Sequence, residues 1–151
     1  MTRHLRISVI TLLIALGAAQ LIQPETRHPS VNPARRLWSD HRMDPRVTDI
    51  TRRACGNCHS YETKWPWYAK FSPVSWFLAR HVEQGRAKLN FDDWSPAAAA
   101  DQLEEIYDSV AKKKMPLWSY LLMHPEARLS QADRDTLLAW ADGKLDPAPG
   151  K

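Results

Sequence analysis

Cys55-Gly56-Asn57-Cys58-His59 constrains this chain more than any other segment. It has the C-x-x-C-H spacing of covalent haem attachment. Two thiols three positions apart can each add to one of the two vinyl groups on a haem edge. The histidine that follows then lies beneath the iron and offers an axial imidazole nitrogen. Both cysteines of the 151-residue chain are in this segment, so none is left for a structural disulfide or a thiolate zinc site. A thioredoxin-like redox pair also uses C-x-x-C, but in a βαβ setting with low-pKa thiols at a helix start. Nothing around Cys55 reads as a strand. A zinc site needs two more ligands, and His41 and His81 stand at no standard zinc spacing.

The N-terminus gives the expected compartment. Arg3, His4 and Arg6 precede an apolar run over residues 7–22, interrupted by Ser8, Thr11 and Gln20. This pattern reads as a secretory signal or an uncleaved signal anchor over residues 1–23. Ala15, Gly17, Ala18 and Ala19 offer small-residue cleavage points, but the run continues through Leu21 and Ile22. It is slightly short of the ~20 residues that span a bilayer comfortably. Positive charge ahead of it keeps the N-terminus cytoplasmic and sends the rest outward. The expected location is a bacterial inner membrane, single-pass, with the haem domain in the periplasm.

Residues 24–43, with Pro29 and Pro33, read as an extended tether. Residues 44–145 read as one haem-binding domain, and residues 146–151 as a flexible tail. Eleven prolines against five glycines indicate rigid punctuation. Seven tryptophans indicate a core of large flat side chains, as around a porphyrin. The net charge of +4 sits partly in the leader, and no basic stretch alternates with aromatics, so nucleic acid is not an expected partner.

Four helices are expected and no strand. The first is capped by Asp44 with Pro45 at its first position, and Val47, Ile50 and Ala54 recur at helical spacing. The second starts at Ser72-Pro73, carries Trp76, Phe77, Leu78 and Val82, and stops at Gly85. The third starts at Ser95-Pro96 and has a stripe of Ala99, Leu103, Ile106, Tyr107 and Val110. Its last turn is Lys112-Lys113-Lys114, favourable at the negative end of the helix dipole. The fourth has Ser130 as cap and Asp133 completing a capping box, turns Leu137, Leu138 and Trp140 inward, and ends at Gly143. This is an all-α, cytochrome c-like order around one covalent haem. Covalent haem would supply much of the core that a domain of this size lacks.

The second axial position decides the chemistry. Met115-Pro116 is the first candidate, because a thioether favours ferrous iron and raises the potential of a His/Met haem. Proline there also stops the preceding helix. His81, in the second helix, is the bis-histidine alternative. His124 and Met123 lie in a loop, Met43 is a weaker option, and an open site is the remaining one. Trp65 and Trp67, in Trp65-Pro66-Trp67-Tyr68, read either as haem packing or as ordinary core aromatics. The lysines at 112–114 read either as a solvated helix end or as a docking patch for an acidic redox partner.

The chain resembles a bacterial family of membrane-anchored haem-binding domain proteins. The resemblance rests on Cys55-Gly56-Asn57-Cys58-His59, Glu62-Thr63-Lys64-Trp65-Pro66-Trp67-Tyr68 and Pro73-Val74-Ser75-Trp76. It continues through Gly85-Arg86, Leu89-Asn90-Phe91, Trp94, Met115-Pro116-Leu117, Ser119-Tyr120 and His124-Pro125-Glu126-Ala127. It extends upstream to the leader and so covers most of the chain. The resemblance implies a small c-type cytochrome with Cys55 and Cys58 as attachment points, His59 as proximal ligand and Met115 as distal ligand. Trp118 departs from the smaller residue or proline expected between the Met-Pro-Leu and Ser-Tyr pieces.

The expected function is that of a monohaem one-electron carrier that transforms no substrate and meets redox partner proteins at the membrane. The alternative is a haem-based sensor or weak peroxidase with a labile sixth ligand. A third class is a structural or assembly protein that uses haem to hold its fold.

Overall fold

In the computed structural model, residues 2–40 and 43–145 are described, and among them there is no strand. The tail expected at 146–151 lies outside the described residues. The helices are α1 (Arg3–Ala19), α2 (Pro45–Ala54), α3 (Gly56–His59), α4 (Val74–Lys88), α5 (Ala99–Ala111), α6 (Trp118–Leu121) and α7 (Gln131–Ala141). Single 3-10 turns punctuate the connections.

Two helix starts form as their side chains dictate. The Asp44 carboxylate accepts from the Arg46 N–H at 2.7 Å, with Pro45 at the first position. Ser130 and Asp133 exchange the two bonds of a capping box at 3.0 and 2.8 Å. Two others differ from expectation. Ser72 does not cap α4: it is buried, bonded to Ser75, Gln20 and Gln23, and Pro73 lies ahead of the helix. After Ser95 the chain first makes a 3-10 turn, Pro96–Ala98, before α5 begins.

The helix ends are equally specific. α7 closes with Gly143 at φ +67, its N–H bonded to the Trp140 carbonyl, and with Lys144 N–H on Ala139 O at 2.7 Å. α5 ends at Ala111 in the same way: Lys113 takes φ 54, its N–H bonds to Val110 O, and Lys114 N–H bonds to Ser109 O at 2.9 Å. The lysines therefore follow α5 rather than form its last turn. α4 continues through Gly85 to Lys88, so Gly85 is not its stop.

The core joins α2, α5 and α7 through Val47, Ile50, Ile106, Val110 and Leu137. Leu89, Phe91 and Trp94, from the loop after α4, fill its other side. Trp38 enters as well, stacked on Phe91 at 5.2 Å and donating its indole N–H to Thr51 Oγ1 at 3.0 Å. Leu37 N–H bonds to Phe91 O, and Trp94 N–H bonds to Arg35 O. Residues 35–40 are thus part of the packed domain and not of a tether, because Leu37 and Trp38 gain more by burial than by extension. The tryptophans divide: Trp38 and Trp94 are core, whereas Trp67, Trp76 and Trp118 are exposed.

α1 buries none of its side chains. Its 17 residues give a rod of about 25 Å at the α-helical rise. Among the described residues no helix is long and apolar enough to cross a membrane.

Candidate functional site

α2 delivers the chain directly into the cysteine segment. Cys55 is the last residue bonded to it, through Thr51 O at 2.9 Å, and α3 then carries Cys58 and His59. α4 lies against α3 at backbone contact. A Cβ on Gly85 would stand 2.9 Å from the Cys58 carbonyl oxygen, so only glycine allows this approach.

The loop after α4 clamps the same segment. Leu89 O accepts from His59 Nδ1–H at 3.0 Å, and Phe91 N–H donates to His59 O at 2.8 Å. Asp92 is fully buried. It accepts from Tyr61 N–H at 2.7 Å and pairs with Arg36 Nε at 2.9 Å. Arg86 donates to Ser60 O at 2.7 Å and to Thr63 Oγ1 at 2.9 Å.

Cys55, Cys58 and His59 line one apolar cavity of about 280 Å³, together with His81, Met115, Leu117 and Tyr120. A second apolar cavity of about 240 Å³ adjoins it, sharing Asn57, Cys58, His81, Leu117 and Tyr120. Met115 is brought there just after the left-handed turn at Lys113, which follows the end of α5.

The donor chemistry of this cavity fits a haem. With Nδ1–H committed to Leu89, His59 keeps Nε2 as a free imidazole donor. Burial lowers its pKa and favours the neutral, ligating form, against the opposing pull of that backbone bond. Burial, with the neighbouring Cys58 adding to it, pushes the Cys55 thiol up to about 12, and burial raises Cys58 as well. The two cysteines form no disulfide. Thiols whose pKa burial raises are unlike the low-pKa thiolates of a redox pair. Among the described residues no three His, Cys, Asp or Glu side chains are grouped to hold a metal ion by themselves.

The other candidates separate. His81 donates Nδ1–H to Phe77 O at 2.8 Å and lines both cavities with Nε2 uncommitted by that bond. His124 is engaged at both nitrogens: Nδ1–H on Glu126 at 3.0 Å, and Nε2 accepting from Tyr68 at 3.1 Å. It also stacks on Tyr120 at 4.2 Å. Met43 packs against the α2–α5–α7 core. Met123 lines the second cavity but is exposed. Trp65 lines the second cavity, and its indole N–H goes to Thr26 O at 3.2 Å. Trp67 lines neither cavity and is 71% exposed, its ring edge-on to Tyr68 and Phe71.

Four positions that support the site escaped the sequence reading. Arg36 and Trp38 lie in a stretch with the pattern of a tether, Asp92 lies in a loop without periodicity, and Gly85 has the pattern of a helix stop. The doubled aspartate at 92–93 between Phe91 and Trp94 was the available signal for a buried charge.

Neither the curated proteins nor the solved structures contain a match to this chain. The sequence model of a haem-binding domain does match it, over residues 14–143, and the chain belongs to that haem-binding domain family.

Proposed function

We propose that this haem-binding protein is a monohaem c-type cytochrome that carries single electrons. Cys55 and Cys58 would hold the haem covalently, and His59 Nε2 and Met115 Sδ would ligate its iron. The observation that carries this reading is that both thiols, the imidazole and the thioether line a single apolar cavity. The haem, when bound, supplies the one-electron couple.

The chain's own residues set the conditions. Leu89 O fixes the His59 ring and tautomer, so that Nε2 points away from its hydrogen bond. A Met115 thioether favours the reduced state and raises the potential. Asn57 holds the Tyr120 hydroxyl at 2.7 Å across the cavity lining. The protein transforms no substrate, and its partners are redox proteins, with the cations at 112–114 as one docking element.

The leader belongs to the same proposal. α1, continued by the exposed Leu21 and Ile22, remains as an anchor in a bacterial inner membrane, with the domain on the periplasmic side. Its length is below that of a comfortable span, a mismatch that local bilayer thinning and the terminal Arg3 and Arg6 accommodate.

Absorption spectra of the haem-loaded protein in both oxidation states, with and without carbon monoxide, test the reading. A low-spin spectrum unaltered by carbon monoxide is expected. Ready binding of carbon monoxide by the ferrous protein favours the sensor or peroxidase alternative with a labile sixth ligand.

A further inference from the structure

The end of α1 is fixed to the haem domain at one corner. Gln20 and Ser72 bond reciprocally: Gln20 Nε2–H donates to Ser72 O at 3.0 Å, and Ser72 N–H donates to Gln20 Oε1 at 3.2 Å. Gln23 donates to Ser72 Oγ at 3.1 Å, and the Trp76 indole N–H donates to Ile22 O at 2.6 Å. These bonds leave little freedom between an anchor and the domain that follows it.

The same corner carries an exposed apolar row. Trp67, Phe71 and Trp76, which line neither apolar cavity, are 71, 55 and 38% exposed. They come from the Trp67–Lys70 turn, from Phe71 directly after it and from the first turn of α4, on either side of Ser72. Trp67 and Phe71 contact each other edge-on at 6.1 Å, so the row is continuous there. Exposed Lys70 and Arg80 flank it. Clustered exposed aromatics mark a surface that is covered by something.

We propose that this face lies on the lipid bilayer that α1 enters, which rests on the anchor reading above. Chain continuity supplies the occupant: the apolar α1 ends within hydrogen-bond reach of Ser72 and Trp76, so the bilayer surface is adjacent to this row by construction. The residue types agree. Tryptophan at the headgroup level is the common membrane-interface anchor, and flanking cations pair with anionic headgroups. Val74 and Phe77, in the same first turn of α4 as Trp76, line the second cavity, so the face sets which side of the cofactor site meets the membrane.

The full haem-loaded chain in vesicles of phosphatidylcholine and phosphatidylglycerol, doped with a phospholipid bearing a headgroup-level diazirine, tests this. After irradiation the labelled tryptic peptides are identified by mass spectrometry. Label on peptides 65–70 and 71–80, several-fold above that on peptide 89–112, is expected, alongside label on peptide 7–27. Label confined to 7–27 overturns the face assignment and leaves the anchor standing. Failure of the chain to float with the vesicles overturns both. Trp67→Ser with Phe71→Ser is expected to reduce label on 65–80 while flotation persists, and undiminished label there contradicts the row as the contact.

Discussion

Gly85 touches the Cys58 backbone: a methyl group in place of its hydrogen would lie 2.9 Å from the Cys58 carbonyl oxygen. The neighbouring atom is main chain within α3, which cannot rotate away. Gly85→Ala therefore forces α4 off the cysteine segment. The expected cost is about 1–3 kcal/mol, the usual range for overpacking, together with a lower yield of haem-loaded protein. Thermal unfolding of the purified variant, compared with wild type, measures the first effect. Unchanged stability and loading would show that the two helices have room to spare.

Asp92 holds the other side of the site. Its buried carboxylate accepts from Tyr61 N–H and pairs with Arg36, which also pairs with Glu62. Asp92→Asn leaves Arg36 without its inner partner. A loss of about 2 kcal/mol or more follows from breaking a buried pair on one side. Denaturant titration checks it, and a neutral result would mean that Glu62 alone satisfies Arg36.

Asp133 gives the stability a pH dependence. Burial raises its pKa, but the Ser130 amide and hydroxyl and the Arg53 guanidinium outweigh this and hold it below the usual aspartate range. Arg53 thereby links α2 to the start of α7, at 3.1 Å. A carboxyl depressed in the folded state stabilises above its unfolded pKa and loses that contribution as pH falls through its folded one. Stability is expected to decline below about pH 4, the carboxylate range. Asp133→Asn should flatten part of that decline. An identical acid limb in the variant would assign the loss to other carboxylates.

The sequence made some of this legible and hid the rest for physical reasons. Asp44-Pro45 and Ser130-Asp133 act on their own backbone within three residues, so local chemistry decided them. The C-x-x-C-H segment likewise carries its geometry in its spacing. Gly85 misleads because a glycine needed for close approach looks the same as one needed for a helix end. Residues 35–40 follow two prolines and resemble a linker, yet Trp38 is core because Phe91, more than fifty residues on, completes its stacking partner. Ser72 reads as a cap, but Gln20 and Gln23 claim it. Such long-range partners leave no local trace.

The distal ligand is decided by two variants. Met115→Ala should lose the weak sulfur-to-iron charge-transfer band and lower the potential as a harder ligand enters. His81→Ala should leave both nearly unchanged. The reverse pattern would make the haem bis-histidine, since His81 lines the same cavity.

Covalent attachment is the central claim, and one measurement addresses it most directly. The haem-loaded protein, matured in an exporting host, is extracted with acidified organic solvent, digested with trypsin and weighed by mass spectrometry. Peptide 54–64, which contains both cysteines, is expected to carry the mass of one haem with no free thiol left to alkylate. A haem-free peptide 54–64 that takes up two alkyl groups would contradict the account.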